Sequence, residues 1–298
     1  KAINKKKVVI VGAGPSGLEA AKVSSERGHK VVVFEASNKA GGQLNLITRS
    51  SRRKDMIGII DWRLEACNKN GVKFKFDTFA TKELVLRESP DVIIIASGGI
   101  PNTSFLDKGN EFASSSWDII SGTIGIEDDV ILYDDNGAYP GLQAAEAIVN
   151  NGSKLEIITP ERFFSPEIGG LNHVAFAKKF IENDVLITIN KRIKSINKDG
   201  NRLLAEIGSD YSNKTEYKKT SQVVIEHGVV PNSDLYFELK KESINLGSID
   251  YNSLISGKLI EKIINKNGKY FLYRVGDSIS SRNIHAAIYD SLRICKDI

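Results

Sequence analysis

The sequence is short of cysteine, and this shortage excludes two kinds of redox centre. Its two cysteines, Cys67 and Cys295, lie far apart in the chain, each within a helical pattern. Because there is no CxxC pair, the chain carries neither a CxxC redox disulfide nor a cysteine-held iron–sulfur cluster. The four histidines lack metal-site spacing, and His29 is expected to be a polar residue of a turn. We therefore expect two ordinary core or surface thiols and no metal site.

Long apolar runs and strong charge of one sign are missing too. No stretch approaches the ~18 apolar residues of a membrane-spanning helix, and no signal peptide precedes the first strand. We therefore expect a cytoplasmic location without a membrane span. The net charge of +4 is small and spread along the chain. The three lysines at positions 5–7 are better explained as a solvated lead-in to a strand than as a nucleic-acid patch, so no nucleic-acid partner is expected.

What is present is the composition of an ordinary globular protein, with 41% hydrophobic and 26% charged residues. A length of 298 residues predicts about two domains, each with enough chain for its own core. The most informative segment comes first. Residues 8–11 are typical of a buried strand, Gly12, Gly14 and Gly17 follow at GxGxxG spacing, and residues 18–21 continue as a helix.

Each part of this segment has a physical role in holding a diphosphate. Gly12 lets the chain turn out of the strand, Gly14 lets a pyrophosphate approach the backbone, and Gly17 lets helix and strand pack closely. The helix N-terminus offers free N–H groups and a positive dipole to the phosphates. A second strand, residues 31–34, leads to Glu35, which suits ribose hydroxyls and repels a 2′-phosphate. The segment predicts a bound ADP-containing cofactor and disfavours NADP.

Three later segments are candidates for the same site, each with a plainer alternative. Residues 41–44 form either a phosphate- or flavin-facing loop or a flexible turn. Residues 96–101 are a small-residue turn after a strand, where backbone can approach a ligand, or an ordinary turn. Asp277 either accepts hydrogen bonds from polyol hydroxyls beside phosphate-facing N–H groups, or caps the closing helix. Ala80 is predicted to lie against an adenine through its backbone.

A second strand–helix–strand unit is predicted at residues 130–158, and its nucleotide loop has poor chemistry for phosphate. This loop, residues 134–141, keeps only two glycines, and its Tyr-Pro pair fills space that a pyrophosphate needs. Asp134 and Asp135 repel phosphate unless they point away from it. We interpret the unit as a Rossmann-like scaffold without ordinary NAD(P) binding.

The rest of the chain completes two related halves. Three segments, the third at residues 216–226, alternate as an antiparallel meander, and residues 227–231 echo residues 97–101. The predicted fold class is α/β, with two Rossmann-like dinucleotide-binding domains, the second inserted in the first. The predicted boundaries are 1–122 and 229–298 for a discontinuous FAD/ADP-binding domain and 123–228 for a degenerate NAD(P)-binding-like domain.

The motifs also carry a resemblance to known flavoproteins. The pieces GAGPSG, FEA, GGQL, ASGG and GD occur in the order found in glutathione-reductase-like enzymes with two dinucleotide-binding domains. More narrowly, nearly the whole chain resembles the C-terminal half of the trimethylamine dehydrogenase and 2,4-dienoyl-CoA reductase family. The stretches YDDNGAYPGLQAAEAI, TPERFFSPEIGGLNH and GDSISSRNIHAAIYDSLRICKDI are similar to its branch of dimethylglycine and N-methylproline (stachydrine-type) demethylases.

The resemblance implies cofactors and partners. In this family an N-terminal TIM barrel carries FMN and the substrate pocket, and a cysteine-held [4Fe-4S] cluster follows it. Both are then expected in a partner subunit or a missing N-terminal portion, while this chain binds FAD, or alternatively ADP, and serves an electron acceptor. Motif and resemblance together give these candidate cofactor-binding residues: Gly12, Ala13, Gly14, Pro15, Ser16, Gly17, Glu35, Ala36, Gly41, Gly42, Gln43, Leu44, Ala80, Ala96, Ser97, Gly98, Gly276 and Asp277.

Three functional hypotheses follow. No side chain is a clear acid–base catalyst, so the chemistry would be that of the flavin. The first hypothesis is a flavin-dependent oxidoreductase component of an N-methylated amine demethylase, relaying electrons from the FMN and iron–sulfur portion. The second is an NAD(P)H:flavin oxidoreductase of the dienoyl-CoA reductase type, which needs a working second site. The third is a non-catalytic structural module that holds ADP.

Overall fold

The computed structural model describes residues 1–257 and 260–298. The first part of the chain contains β1 (Lys7–Val11), α1 (Pro15–Glu26), β2 (Lys30–Phe34), α2 (Leu44–Ile47), α3 (Gly58–Lys69), β3 (Lys73–Lys75), α4 (Lys82–Arg87), β4 (Val92–Ile95) and β5 (Gly99–Pro101). The middle contains β6 (Ala113–Ser115), α5 (Ser116–Ser121), β7 (Asp129–Asp134), α6 (Tyr139–Asn150), β8 (Lys154–Ile158), α7 (Gly170–Ile181), β9 (Leu186–Thr188), β10 (Arg192–Asp199), β11 (Arg202–Ser209), β12 (Ser212–Thr220) and β13 (Gln222–Glu226). The last part contains β14 (Val229–Pro231), α8 (Asp234–Lys240), α9 (Tyr251–Ser256), β15 (Phe271–Arg274) and α10 (Ile284–Cys295).

The first compact unit is discontinuous, comprising Lys1–Ile100 and Val230–Ile298. Its sheet is parallel throughout, in the strand order β15-β4-β1-β2-β3. Four consecutive residues of β1, Val8 to Val11, are buried, as expected for a parallel strand covered on both faces. Helix α1 contacts both α3 and α10, so elements from the two ends of the chain share one core.

The second compact unit, Pro101–Val229, repeats this arrangement and adds a meander. Its parallel sheet has the order β6-β13-β7-β8-β9, and β10, β11 and β12 form an antiparallel sheet. In the first sheet the chain runs from β1 to β2 and β3 on one side and then returns to β4 on the other side of β1. In the second sheet it runs from β7 to β8 and β9 and then returns to β13 on the other side of β7. The predicted fold class, two Rossmann-like units with the second inserted in the first, is confirmed.

The start of the insertion differs from the predicted boundary at residue 123. Residues 101–122 pack with the second unit. The reason is strand pairing: β6 lies beside β13 in register, with Ala113 opposite Val223. This edge strand has only three residues, which are too few to show a periodic pattern in the sequence.

Three predicted elements have different limits. The segment predicted as one strand at 216–226 is two strands, because β12 is largely exposed at the edge of the meander while β13 is buried at every position. The apolar spacing of residues 55–69 predicts one helix there, whereas α3 begins at Gly58, after a 3₁₀ turn at Lys54–Ile57. The helix of the second strand–helix–strand unit is predicted to begin at Gly141, whereas α6 begins at Tyr139, since proline is tolerated in a first helical turn. No helix of residues 1–257 or 260–298 has the length and apolar character to cross a bilayer.

Candidate functional site

The glycine-rich loop lies where ligands bind in open parallel sheets. After β1 the chain crosses through α1 to β2 on one side, while β4 pairs with β1 on the other side. The reversal of strand order leaves a crevice at the carboxyl ends of β1 and β4. Gly12 follows β1 directly, and Ala96 follows β4 directly. Two of the predicted segments therefore meet at this crevice, as the motif predicts.

The three motif glycines occupy different environments. Gly12 has φ +101°, and a Cβ on it would overlap the Ala96 carbonyl oxygen, so only glycine fits this turn. A Cβ on Gly17 would overlap the Gly12 carbonyl oxygen, because the helix packs closely on the loop. Gly14 has an ordinary φ of −72°, and a Cβ there would meet only the Gly42 Cα, at 3.9 Å. The missing side chain of Gly14 leaves space on its outer side.

Helix α1 begins at this open glycine. Gly14 is the N-cap, no side chain caps the helix, and Pro15 occupies the first helical position. The first N–H groups of a helix have no acceptor within the helix, and the helix dipole makes this end positive. The loop thus presents bare backbone and a partial positive charge to the crevice, which suits an anionic diphosphate.

Glu35 lies at the end of β2 and is 9% exposed. Its Oε2 accepts a hydrogen bond from the Ala13 N–H at 2.7 Å, and its Oε1 accepts one from the Ser37 N–H at 2.8 Å. A carboxylate oxygen has more than one acceptor position, so ribose hydroxyls can still bind there. Glu35 thereby fixes the glycine loop in addition to the ribose selection predicted for it.

The loop at residues 41–43 lies against the glycine-rich loop. The Gly41 N–H donates to the Ala13 carbonyl at 2.9 Å, and a Cβ on Gly42 would lie 3.2 Å from the Gly14 Cα. Gly41 and Gly42 have φ values of +131° and +52°, which glycine adopts without strain. The structure therefore brings the predicted phosphate- or flavin-facing loop to the open side of Gly14.

Gln43 connects this loop to the late Gly-Asp pair. Its Nε2 donates to Asp277 Oδ2 at 3.2 Å, and a Cβ on Gly98 would lie 3.9 Å from the same Nε2. Asp277 does not cap the closing helix, as the alternative interpretation had it; Asn283 does, by accepting a hydrogen bond from the Ala286 N–H at 2.9 Å. Desolvation by burial raises the pKa of Asp277 above its usual value.

Several candidate residues have structural roles. Ser16 is buried, and its hydroxyl pairs with the Ser291 hydroxyl at 2.8 Å, between α1 and α10. Leu44 is fully buried in the core, and its N–H donates to the Gly41 carbonyl. Ala36 is exposed. Ala80 packs against the core cluster that contains Val9, Phe34 and Ile93, so its side chain belongs to packing.

The remaining candidates frame the crevice. Gly276 has φ +66° and lies against Ser16, because a Cβ there would be 2.8 Å from the Ser16 hydroxyl oxygen. The Ser97 hydroxyl donates to the Asn232 carbonyl, and the Asn232 N–H donates to the Gly98 carbonyl at 3.0 Å. These bonds hold the turn after β4 in place. Part of the eighteen predicted residues therefore come together at the crevice. The side chains of Ser16, Leu44 and Ala80 instead pack within the protein.

The corresponding loop of the second unit is built differently. Helix α1 contains the pair Gly17-Leu18, and helix α6 contains the pair Gly141-Leu142. When these two pairs are aligned, Asn136 takes the position of Gly12 and Ala138 takes the position of Gly14. Asp134 is 4% exposed, and its Oδ1 accepts hydrogen bonds from the backbone N–H groups of Asn136 and Gly137, at 3.1 and 2.8 Å. Backbone donors that face phosphate in a nucleotide loop are therefore bound by an internal carboxylate.

A second buried carboxylate completes this arrangement. Glu226, 4% exposed at the end of β13, accepts from Asn136 Nδ2 at 2.9 Å, from the Gly228 N–H at 3.1 Å and from the Ser116 hydroxyl. Desolvation, with Glu226 nearby, raises the pKa of Asp134 to about 8, and desolvation also raises the pKa of Glu226. Two buried carboxyl groups, those of Asp134 and Glu226, therefore lie at the second loop, where binding of a pyrophosphate requires a positive potential.

Two further features were not predicted from the sequence. His227 Nδ1 lies 2.6 Å from Asp135 Oδ1, and the Tyr133 hydroxyl donates to the same carboxylate, so Asp135 points away from the loop interior. In the echo between residues 227–231 and residues 97–101, His227 takes the position of Ser97. This echo is the sequence signal from which a role for His227 could have been predicted. A pocket of about 220 Å³ in the first unit contains Arg274, for which the sequence gave no signal.

The cysteines and His29 are structural. Cys67 and Cys295 are free and buried, and burial raises the pKa of each thiol to about 12, so neither is a reactive thiolate. His29 lies in the turn between α1 and β2, as predicted, and is 6% exposed; its Nδ1 accepts from the Lys6 N–H, and its Nε2 lies 3.1 Å from the Ile298 carbonyl. Within residues 1–257 and 260–298 no cluster of potential metal ligands occurs.

Comparison with curated proteins shows similarity over the whole chain. The chain is 48% identical over 298 residues to a probable N-methylproline demethylase of Rhizobium meliloti, covering 100% of this chain and 44% of that protein. It is 33% identical over 304 residues to the N,N-dimethylglycine/sarcosine dehydrogenase of Chromohalobacter salexigens, covering 98% of this chain and 44% of that protein. The predicted resemblance is confirmed. The chain spans less than half the length of the curated relatives it matches.

Solved structures show the same fold. A 2-naphthoyl-CoA reductase in complex with 2-naphthoyl-CoA matches with a TM-score of 0.80 and 26% identity, covering 100% of this chain and 40% of that chain. The thioredoxin reductase of Lactococcus lactis matches with a TM-score of 0.68 and 17% identity, covering 98% of this chain and 97% of that chain. The second match agrees with a glutathione-reductase-like fold.

A family model gives the most general assignment. The model described as pyridine nucleotide-disulphide oxidoreductase matches residues 6–263, which include both nucleotide loops. Such a match implies binding of FAD or a nicotinamide dinucleotide, in agreement with the open glycine loop of the first unit. Since this match covers most of the chain, the protein belongs to the pyridine nucleotide-disulphide oxidoreductase family.

Proposed function

We propose that this chain is the FAD-binding, electron-relaying part of an N-methylated amine demethylase. The observation that carries the proposal is the crevice of the first unit, where Gly14 leaves bare backbone open at the N-terminus of α1. The 48% identity to a probable N-methylproline demethylase supports the amine substrate class. The buried acids of the second loop argue against a nicotinamide dinucleotide in the second unit.

The residues of the crevice fit the ADP half of FAD. The loop from Gly12 to Gly17 would hold the pyrophosphate through backbone N–H groups, and Glu35 would accept the ribose hydroxyls. Gln43 and Asp277, which are hydrogen-bonded to each other, would orient the polyol beyond the pyrophosphate. A bound flavin would supply one- and two-electron transfer, which none of these side chains provides.

The amine chemistry belongs to another part of the protein or to a partner. More than half of each relative's length lies outside the region that this chain matches. Cys67 and Cys295 are free and buried, and the described residues contain no cluster of potential metal ligands, which supports an iron–sulfur centre held elsewhere. We propose that an FMN-containing barrel and a [4Fe-4S] cluster lie in that further portion and exchange electrons with this chain, and that a separate acceptor is served.

The absorption spectrum and the mass of the released cofactor test the proposal. We expect the purified protein to release FAD on denaturation and to show flavin absorbance after the FMN contribution is subtracted. Release of ADP without FAD would reject the relay role and leave a structural nucleotide. Rapid bleaching of the bound flavin by NADH alone would instead show a working second site and favour an NAD(P)H:flavin oxidoreductase.

A further inference from the structure

We propose that a pocket on the first unit, centred on Arg274, binds a small organic carboxylate. The pocket has a volume of about 220 Å³. Arg274 is the last residue of β15, so the pocket opens at the carboxyl edge of the parallel sheet, where ligands bind in this class of fold. The proposal goes beyond the proposed function, because the crevice residues do not line it. The lining residues are Tyr236, Gly247, Ser248, Ile249, Tyr251, Arg274 and Ile279.

Arg274 is a cation without an acidic partner in the described part of the chain. Its guanidinium stacks over the rings of Tyr236 and Phe237, at 4.1 and 5.4 Å, and one Nη donates to the Ser278 carbonyl at 3.3 Å. By contrast, Arg63, Arg192, Arg202 and Arg282 each lie against a carboxylate. A guanidinium has five N–H donors in a planar fork, so most of the donors of Arg274 are free for a carboxylate.

The neighbouring acids are already bound elsewhere. Asp250, next to the pocket in sequence, accepts hydrogen bonds from Asn252 and Ser253 in the first turn of α9. Asp277, three residues after Arg274, binds Gln43 and the Arg282 N–H. Neither acid neutralises the guanidinium, so the pocket keeps a positive charge.

The walls of the pocket indicate the rest of the ligand. Ile249, Ile279 and the rings of Tyr236 and Tyr251 offer apolar surface, while the Ser248 hydroxyl has no hydrogen-bond partner within residues 1–257 and 260–298. The lining of the pocket is therefore mixed, and a combination of apolar surface with a few convergent polar groups is usual in small-molecule sites. The guanidinium would hold the carboxylate in a bidentate pair, and the isoleucines and tyrosines would cover an apolar body.

The fixed position of Arg274 favours ligand binding over a purely structural role. Two aromatic rings and the Ser278 carbonyl hold the guanidinium in one orientation, so little conformational entropy is lost when an anion binds. Tyr236 itself is anchored, because its hydroxyl donates to the Gly247 carbonyl at 3.0 Å. The charged group is therefore preorganised before a ligand arrives.

Calorimetric titration of the protein that carries this chain, with its cofactors in place, tests the proposal. The probes are benzoate, acetate and inorganic phosphate. We expect saturable benzoate binding that is tighter than binding of acetate or phosphate. Arg274→Met should weaken benzoate binding by about tenfold or more, since it keeps the stem and removes the charged fork. Arg293→Met is the matched control, because Arg293 also lies over a tyrosine, at 5.4 Å, outside the pocket.

Three results would overturn the proposal: no saturable benzoate binding, benzoate affinity unchanged in Arg274→Met, or phosphate binding at least as tight as benzoate binding. Arg274→Lys gives an independent measurement if the methionine variant does not fold. Lysine keeps the charge and loses the bidentate geometry, so a several-fold weaker benzoate affinity is expected. An unchanged affinity in a folded lysine variant would also overturn the proposal. The absorption spectrum of each variant reports whether the cofactor crevice is intact.

Discussion

Gly14 and Gly17 belong to one motif, but the structure has room for a side chain at Gly14 and not at Gly17. Gly17 faces the protein, because a side chain on it would overlap the Gly12 carbonyl oxygen. Gly14 faces open space and has backbone angles that any residue adopts. The sequence motif treats both as invariant glycine positions, whereas the structure assigns one to folding and the other to ligand access.

Gly14→Val is expected to abolish nucleotide retention while leaving the fold intact. The added methyl groups would occupy the space in which we place the pyrophosphate, and the nearest protein atom to the new Cβ is the Gly42 Cα, at an ordinary contact distance of 3.9 Å. The measurement is the nucleotide released per chain, together with the thermal unfolding midpoint of the nucleotide-free protein. Gly17→Val is the contrast: overpacking against the loop should lower the unfolding free energy by about 1–3 kcal/mol or more. Retained nucleotide in a folded Gly14→Val variant would contradict our placement of the site.

Asp134→Asn is expected to flatten the pH dependence of stability between pH 6 and 8. Burial raises the pKa of Asp134 to about 8 from 3.8, so within this range the folded chain holds a proton that the unfolded chain has released. The unfolding free energy of the wild type therefore falls as pH rises, by up to about 1.4 kcal/mol per pH unit from this group, until the pH passes about 8. Asparagine stays neutral and removes this slope. Urea unfolding at a series of pH values measures it.

Asp210→Asn is the matched control for this experiment. Asp210 lies in the same unit but is exposed, and a hydrogen bond from Arg192 lowers the pKa of its carboxyl. Its titration ends well below pH 6, so its removal should leave the slope between pH 6 and 8 unchanged. An equal slope in the wild type and in Asp134→Asn would show that Asp134 is ionised in the folded protein.

Among the elements, those buried on both faces were predicted well from the sequence. The runs at residues 8–11 and 31–34 are continuous and apolar, and the structure extends each by one residue, as β1 (Lys7–Val11) and β2 (Lys30–Phe34). Short elements were missed or merged: β6 has three residues, and β13 was joined to β12. Strand propensity alone does not separate two consecutive strands when only their burial differs, because burial is set by the sheet that each strand joins.

The sequence predicts the candidate site well where its residues lie close together in the chain and poorly where they lie far apart. The glycine loop and Glu35 belong to one βαβ segment, so sequence spacing gives their relation. The contact between Gln43 and Asp277 joins positions 234 residues apart, and the motif order suggested it only through the family resemblance. Arg274 and the buried pair Asp134–Glu226 depend on tertiary placement, which no spacing in the sequence encodes.

At the end of β2, Glu35→Gln is expected to weaken both the loop and the selection of ribose. One oxygen remains as an acceptor, but the new amide faces a backbone N–H of Ala13 or Ser37, so one buried hydrogen bond is lost. The unfolding free energy should fall by about 1–3 kcal/mol. The ratio of the affinities for ADP and 2′-phospho-ADP should decrease, because the carboxylate that repels the 2′-phosphate is gone.

Binding titrations with both nucleotides and urea unfolding measure these effects. Glu65→Gln is the control, since Glu65 is an exposed residue of α3 paired with Lys69. An unchanged nucleotide ratio in Glu35→Gln, with a reduced stability, would leave Glu35 as a purely structural anchor of the loop.

On the scale of the molecule, the two units are related in topology but differ in their nucleotide loops. In the first loop the backbone at Gly14 is open to the crevice, whereas in the second loop Asp134 accepts hydrogen bonds from the N–H groups of both Asn136 and Gly137. The order β4-β1-β2-β3 corresponds to β13-β7-β8-β9, so the same scaffold carries both loops. We expect one dinucleotide per chain, held by the first unit.

Hydrogen exchange with added ADP tests this division. Starting from the nucleotide-free protein, we expect slower exchange at residues 12–17 and 41–43, because bound ADP stabilises these adjoining loops and its phosphates accept hydrogen bonds from the first N–H groups of α1. Residues 134–141 should exchange at the same rate with and without ADP. NADH should likewise leave residues 134–141 unchanged. Protection of these residues by either nucleotide would show that the second loop binds after all.

The discontinuity of the first unit sets the order in which the protein is assembled during translation. Strand β15 and helix α10, which complete its sheet and contact α1, follow the inserted unit in the chain and so leave the ribosome after it. By then the whole inserted unit has emerged and its contiguous chain can fold. We therefore expect the crevice to be incomplete until both have emerged, because a nascent chain stopped before residue 271 lacks the strand that brings Asp277 to Gln43.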